Sequence, residues 1–185
     1  MLKRESPGGS PGSNDVPAVA AANDTRRIRY PAGRYPVLVL PDGERHAVHS
    51  MINATRPMRF GDFLWDDDGI PPGPVWIRVD LGRQIVSVFR GGHEIGSAVI
   101  LFGTDGKPTP AGMFKVLEKA ERHESTLYDA EMPYMLRLTG DGIAIHASRV
   151  RAGSATHGCI GVPPEFARRL FEQMKVGGQV AIIAA

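Results

Sequence analysis

The sequence lacks the features that mark disulfide-stapled, membrane-spanning and nucleic-acid-binding proteins. It holds one cysteine, Cys159, among 185 residues, so no disulfide can form within the chain. No apolar run approaches the ~20 residues of a membrane-spanning helix. The formal net charge is +2, and there is no dense block of lysine and arginine to track a phosphate backbone. We therefore expect no disulfide framework, no transmembrane segment in this chain and no nucleic acid partner.

The N-terminal residues also lack the marks of a packed or targeted segment. Met1-Leu2-Lys3-Arg4 is not followed by the hydrophobic stretch of a secretory signal. Two interpretations stay open: the chain remains in the cytoplasm, or a signal or anchor has been removed. Residues 1–25 are rich in glycine, serine, proline and alanine, a composition that buries too little to offset the entropy of ordering. We predict a flexible tail or linker there.

The rest of the sequence has the composition of a globular protein and the periodicity of β-strands. Hydrophobic residues make up 42% of the chain and charged residues 23%. From Val75 to Leu81 every second residue is apolar, which is the pattern of a half-buried strand. Other short apolar runs are bounded by turn residues. The strand candidates are residues 37–40, 75–81, 85–89, 95–102, 113–117, 134–138, 143–145 and 180–183.

One helix is predicted near the C-terminus. Pro164 can open it, because a proline at the first helical position loses no hydrogen bond. Apolar residues recur every four positions from Phe166 to Met174, which gives one buried stripe, and Gly177-Gly178 ends the helix. A second short helix is expected over residues 58–65, which are rich in large apolar side chains.

These elements predict a mainly β fold, a β-sandwich or barrel-like sheet with one or two short helices. We expect residues 26–74 to form an N-terminal extension that packs on a core domain at residues 75–185. Within that extension, Asp66-Asp67-Asp68-Gly69 invites a calcium-binding interpretation. The later ligands of an EF-hand loop are missing, so we interpret the segment as a solvated turn.

The residues suited to chemistry are concentrated between Ile143 and Val162. A thiol attacks as its thiolate, so Cys159 needs a nearby base or cation to react near neutral pH. His146 stands at the end of an apolar strand, thirteen residues before Cys159. A loop of that length can fold back and bring the imidazole to the sulfur. His157 precedes the cysteine by two residues.

Each of these residues also has a structural interpretation. A lone cysteine is usually a small buried hydrophobe, and a histidine at a strand end is usually a satisfied structural residue. One cysteine and two histidines two to thirteen residues apart give no familiar zinc spacing. The order in which the residues occur favours chemistry.

That order, His146 followed by Thr156-His157-Gly158-Cys159, resembles the L,D-transpeptidase catalytic family, also called the YkuD type. The resemblance covers roughly residues 75–184 and extends to several other segments. They are Ile77-Arg78-Val79-Asp80, residues 84–89, the turn Pro108-Thr109-Pro110-Ala111-Gly112-Met113-Phe114, and Met132-Pro133-Tyr134.

The resemblance implies a role for each matching residue. Cys159 would be the nucleophile, His146 its base, and a backbone carbonyl near Ala147 the group that orients the imidazole. Backbone N–H groups of Gly158 and Cys159 would bind the oxyanion. No metal or organic cofactor is required. The resemblance also makes His157 a catalytic residue and predicts substrate contacts for Tyr134, Thr156, Ala147 and Ser148.

The function implied is acyl transfer on peptidoglycan tetrapeptide stems in the periplasm or cell envelope, through a thioester that an amine resolves into a 3→3 cross-link. Carbapenems acylate this family's cysteine as substrate mimics. Two alternatives stay open: a carboxypeptidase or amidase that uses water as acceptor, and a catalytically silent wall-binding module.

The sequence departs from the family at Gly161, where Arg or Asn is common, and its His-to-Cys loop is shorter than usual. We interpret Arg149 and Arg151 on that loop as residues that could supply the missing charge. The remaining histidines are near no motif, and we expect them to be dispensable for catalysis. They are His46, His49, His93 and His123.

Overall fold

The computed structural model describes residues 25–104, 106–125 and 130–184. These residues form sixteen strands and one helix. The strands are β1 (Arg27–Arg29), β2 (Val37–Val39), β3 (Arg45–Ala47), β4 (Ser50–Ile52), β5 (Phe63–Trp65), β6 (Val75–Asp80), β7 (Ile85–Arg90), β8 (His93–Val99), β9 (Gly112–Lys115), β10 (Glu118–Ala120), β11 (Glu124–Ser125), β12 (Ala130–Glu131), β13 (Met135–Arg137), β14 (Ala144–Ala147), β15 (Ile160–Val162) and β16 (Gln179–Ile183); the helix is α1 (Pro164–Gln173). The tail predicted at residues 1–25 lies almost wholly outside the described residues.

Two sheets enclose the main core. The larger has the order β1-β4-β8-β7-β6-β16-β9, with β5 paired to β8, and the smaller has the order β10-β13-β14-β15. Val86 and Val88 of the larger sheet and Ile145 and Ile160 of the smaller one are buried in a single apolar cluster. The prediction of a mainly β, sandwich-like fold is confirmed.

Helix α1 begins where the sequence predicts and packs against the smaller sheet. Its Phe166 and Leu170, together with Met174 just beyond its end, are buried in the main core. The ammonium group of Lys119 donates hydrogen bonds to the carbonyl groups of Phe171 and Met174, which satisfies acceptors left open at the helix end. Among the described residues, no helix is long and apolar enough to cross a membrane.

The helix predicted over residues 58–65 is wrong. Residues Phe63–Trp65 instead form β5, which pairs antiparallel with β8 and places Trp65 opposite Gly96. A Cβ atom on Gly96 would lie 2.5 Å from the Trp65 ring, so the missing side chain makes room for the indole. The ring then meets Phe166 edge-on at 5.5 Å. Pairing with the sheet thus outweighs the local helical pattern.

The N-terminal extension joins the larger sheet through β1, β4 and β5. Its acidic segment is held by arginines, with Asp66 3.3 Å from Arg27 and Asp67 3.0 Å from Arg90. Within the described ranges, no group of three or more His, Cys, Asp or Glu side chains could hold a metal ion.

A buried polar network fastens the extension to the core. The side chain of Arg27 is 1% exposed and donates to Ser50 Oγ at 3.1 Å and to the Glu94 carbonyl at 2.7 Å, besides its ion pair with Asp66. The Glu94 carboxyl accepts a hydrogen bond from Ser87 at 2.7 Å. Burial raises the pKa of Glu94, and the Ser87 hydroxyl and Arg27 oppose that rise. Arg27 thus links Ser50, Glu94 and Asp66 in one buried network.

We predict that Arg27→Ala lowers the free energy of unfolding by about 3–5 kcal/mol, because it leaves buried acceptors and a partly buried carboxylate without their cation. Urea denaturation followed by circular dichroism measures the change. Arg34→Ala, at an exposed position of the same extension, is the control and should stay within about 0.5 kcal/mol of the parent protein. Equal effects from the two substitutions would contradict the prediction.

Candidate active site

The parallel pairing of β14 with β15 sets the positions of Cys159 and His146. Ile145 pairs with Ile160 and His146 with Gly161. Residues two apart along a strand point to the same face. Cys159 directly precedes β15, so its side chain points to the face that Gly161 and His146 share. Both side chains reach one cavity.

That cavity has a volume of about 470 Å³. Four of the residues predicted from the sequence line it: Cys159, His146, His157 and Thr156. The other described residues that line it are Lys107, His123, Ala130, Met132, Met135, Arg137, Gly140, Asp141, Gly142 and Ile143.

The imidazole of His146 is held as a neutral base. Its Nδ1 lies 2.8 Å from the carbonyl oxygen of Ala147. A carbonyl only accepts, so Nδ1 carries the proton and the neutral ring keeps its lone pair on Nε2. Burial lowers the pKa of His146, and the bond to Ala147 opposes this only in part. The ring is therefore uncharged at neutral pH.

The Cys159 sulfur is held as a thiol. Burial raises its pKa, while the backbone N–H of Ala144 and the charge of Lys107 pull the pKa down and Asp141 adds to the rise. The Sγ atom lies 3.6 Å from the carbonyl oxygen of Gly142, to which the thiol can donate. At neutral pH the cavity thus holds a thiol and a neutral imidazole, and an attack by the sulfur would require the thiol to lose its proton.

Two threonines fix the peptide groups on either side of Cys159. Thr109 accepts from the N–H of Gly103 at 2.9 Å and donates to the carbonyl of Gly158 at 2.8 Å. Thr156 donates to the carbonyl of Cys159. In a trans peptide the N–H points opposite to the carbonyl, so anchoring the Gly158 carbonyl also orients the N–H of Cys159.

Thr109 is a positioning residue that the sequence reasoning did not single out. Thr109 lies in the turn Pro108-Thr109-Pro110, one of the segments that resemble the family. That resemblance could have pointed to Thr109 as a residue of the site. Its partners need to be glycines: Gly158 has a φ of 103°, and a Cβ on Gly103 would lie 2.5 Å from the nitrogen of Gly158. The two backbones are in direct contact.

The departure at Gly161 has a steric cause. A Cβ there would lie 2.8 Å from the Cβ of Ser148, so Ser148 occupies the space that a larger residue would need. Arg149 and Arg151 are exposed and do not line the cavity, so the suggestion that they supply its charge is wrong. Among the described lining residues, the lysine and arginine side chains are Lys107 and Arg137.

The remaining predicted residues lie around the cavity. Ala147 contributes its carbonyl, and Ser148 packs on Gly161. Tyr134 lines a neighbouring cavity of about 580 Å³ and packs its ring on Phe171 at 5.8 Å. Its role in substrate binding stays a prediction.

His123 lines both cavities. The sequence analysis sets His123 aside because no motif lies near it in the chain. The fold brings it to the cavity that Cys159 lines, so distance in the sequence is not a reason to set it aside.

The comparisons with known proteins agree with this geometry. The model of the L,D-transpeptidase catalytic domain matches residues 74–182. The chain belongs to this family. No match was found among curated proteins.

Solved L,D-transpeptidases share the fold. The enzyme from Stackebrandtia nassauensis is 23% identical, with a TM-score of 0.56 over 64% of this chain and 60% of its own. A mutant of the Enterococcus faecium enzyme is 26% identical, with a TM-score of 0.53 over 60% and 50%. L,D-transpeptidase 3 from Mycobacterium tuberculosis, in complex with a faropenem-derived adduct, is 20% identical, with a TM-score of 0.54 over 60% of each chain. This chain thus spans less than two thirds of each relative.

For this family member we predict slow alkylation of Cys159 by iodoacetamide at pH 7, with a rate that climbs as pH rises. The midpoint should lie above the ~8.5 of an unperturbed thiol, since burial disfavours the thiolate. Intact-protein mass spectrometry after timed quenching measures the rate. The same protein unfolded in guanidinium is the control and should show a midpoint near 8.5. A rate that is already at its plateau below pH 7 would indicate a thiolate–imidazolium pair instead.

Proposed function

We propose that this chain is an L,D-transpeptidase that uses Cys159 to form a thioester with peptidoglycan tetrapeptide stems. The observation that carries the proposal is the placement of Cys159 and His146 in one cavity, with the imidazole oriented by the carbonyl of Ala147. Membership of the family supports acyl transfer. The chemistry needs no metal or organic cofactor.

In the acylation half-reaction, Nε2 of His146 accepts the thiol proton as sulfur attacks the carbonyl at the L-centre of the diamino acid. The carbonyl π electrons move onto oxygen, and the N–H groups of Gly158 and Cys159 bind the resulting oxyanion. Collapse of this intermediate breaks the bond to the terminal D-Ala, whose nitrogen takes the proton from His146. The anchoring of the Gly158 carbonyl by Thr109 supports the proposed oxyanion site.

In the second half-reaction, the amine of another stem attacks the thioester. His146 accepts a proton from that amine and returns one to the departing sulfur, which restores the thiol. The product is a 3→3 cross-link. Water in place of the amine would release a tripeptide stem, so the site's chemistry is the same for a carboxypeptidase. These substrates imply a place of action in the cell envelope.

The products formed from purified stems test this function. Wild-type protein incubated with tetrapeptide stems should release D-Ala and form 3→3 dimers, and Cys159→Ala should form neither, as read by mass spectrometry. Tripeptides without dimers would replace transfer by hydrolysis. Release of no D-Ala while the protein still binds cell walls would support a silent wall-binding module.

A second prediction concerns the base. The relative with a faropenem-derived adduct supports the use of β-lactams as probes, and a carbapenem should add one drug mass to Cys159. We predict that His146→Ala slows this adduct formation about 100-fold or more at pH 7, as expected for loss of a general base. His46→Ala, on β3 outside the cavity, is the matched control and should keep the wild-type rate. Near-normal acylation of His146→Ala would assign the base to another residue, with His157 and His123 the first to test.

A further inference from the structure

Arg137 lies in the same row across the smaller sheet as the nucleophile. Arg137 of β13 pairs with Ala144 of β14. The register of β14 with β15, Ile145 opposite Ile160, places Ala144 beside Cys159. Residues that face each other on neighbouring strands point to the same side of a sheet. Two strand spacings of roughly 4.8 Å put the backbones of Arg137 and Cys159 about 10 Å apart.

Both ends of this row reach the cavity. Arg137 and Cys159 line it, and Ala144 between them carries only a methyl group. An extended residue covers about 3.5 Å, so a bound peptide of about three residues would span the distance between the two backbones.

The guanidinium of Arg137 has donors to spare. Over residues 25–104, 106–125 and 130–184 its one ion pair is with Glu118, its neighbour on β10, at 2.6 Å, and its side chain is 39% exposed. Among the described residues, the buried Nε of Arg137 has no hydrogen-bond partner. A guanidinium carries five N–H donors, and a buried donor without an acceptor is costly and calls for an explanation.

Among the described lining residues, the other lysine or arginine is Lys107. Lys107 runs past Gly158, with its Cγ 3.6 Å from where a Cβ of that glycine would stand. Its charge acts on Asp141, whose pKa is lowered by the hydroxyl of Thr139 and, to a smaller degree, by Lys107. The charge of Lys107 thus acts on Asp141 as well as on the Cys159 thiol, whose pKa it also lowers. Within the part of the chain that the structure describes, Arg137 is ion-paired with Glu118, whose carboxylate is itself 45% exposed.

We propose that Arg137 binds a carboxylate of the donor stem and so selects donors that carry that charge near the scissile bond. A guanidinium matches a carboxylate with two parallel hydrogen bonds, which fixes orientation as well as charge. Glu118 holds the guanidinium extended until the donor arrives. The inference rests on the proposed function, because it names what that site recognises.

Three donors separate the possible sources of the carboxylate. One is the free tetrapeptide stem, one is amidated at the terminal D-Ala, and one is amidated on the side chain of a dicarboxylic diamino acid. Release of the terminal residue by wild-type protein should fall about 10–100-fold in kcat/KM for the donor that lacks the recognised carboxylate. The amidation that has this effect identifies the source.

Substitution of Arg137 should remove that preference. Arg137→Gln should lose about 10–100-fold in kcat/KM on the free donor and little on the donor amidated at the recognised carboxylate. Arg137→Lys keeps the positive charge but lacks the planar pair of donors of a guanidinium, so it should retain part of the preference. Melting temperatures show whether the variants are folded, and Arg137→Lys replaces Arg137→Gln if the latter is not. Arg34→Gln, at an exposed position outside the cavity, is the matched control and should keep the full wild-type preference.

The failures are distinguishable. Wild-type protein that turns over none of the donors would overturn the proposed function and this inference with it. An active wild-type protein whose preference survives in Arg137→Gln would overturn the inference alone. Equal losses on all three donors in Arg137→Gln would make this residue structural and would also overturn the inference, as would the same loss of preference in Arg34→Gln.

Discussion

Strands β14 and β15 pair in parallel. This pairing places His146 opposite Gly161 and Ile145 opposite Ile160, the residue that follows Cys159. Strands so close in sequence cannot pair in parallel without a crossover, and here the loop that carries Thr156 and Gly158 makes that crossover. Helix α1 packs on β14 from the other side. Cys159 therefore lies at the end of a loop whose two ends are fixed by the same sheet, and threonine hydroxyls hold the carbonyl groups of Gly158 and Cys159.

Burial sets the protonation states of Cys159 and His146. Because the pKa of Cys159 rises and that of His146 falls, neither residue is charged before a substrate arrives. In the proposed mechanism the thiol therefore gives up its proton during the attack, to a base that is already oriented. The hydrogen bond of His146 to the Ala147 carbonyl serves this purpose, since it leaves Nε2 as the basic nitrogen.

Local patterns in the sequence predict much of this fold and only part of the site. The period of two over residues 75–81 and the four-residue stripe from Phe166 to Met174 gave a strand and a helix that the structure confirms. The helix expected over residues 58–65 was wrong because a partner strand distant in sequence sets its conformation. Thr109 and Arg137 were missed for the same reason, since each acquires its significance from strands and loops that only the fold brings together.

The shared space of Ser148 and Gly161 has a consequence for how this site can diverge. A side chain at position 161 and the hydroxymethyl of Ser148 compete for the same volume, so the two positions are epistatic. A larger residue at 161 meets this clash as long as position 148 carries a side chain, because an alanine there would keep the Cβ that lies 2.8 Å away, whereas a glycine would remove it. The order in which positions 148 and 161 change thus matters. It restricts the evolutionary paths that lead from this cavity to one with an arginine or asparagine at position 161.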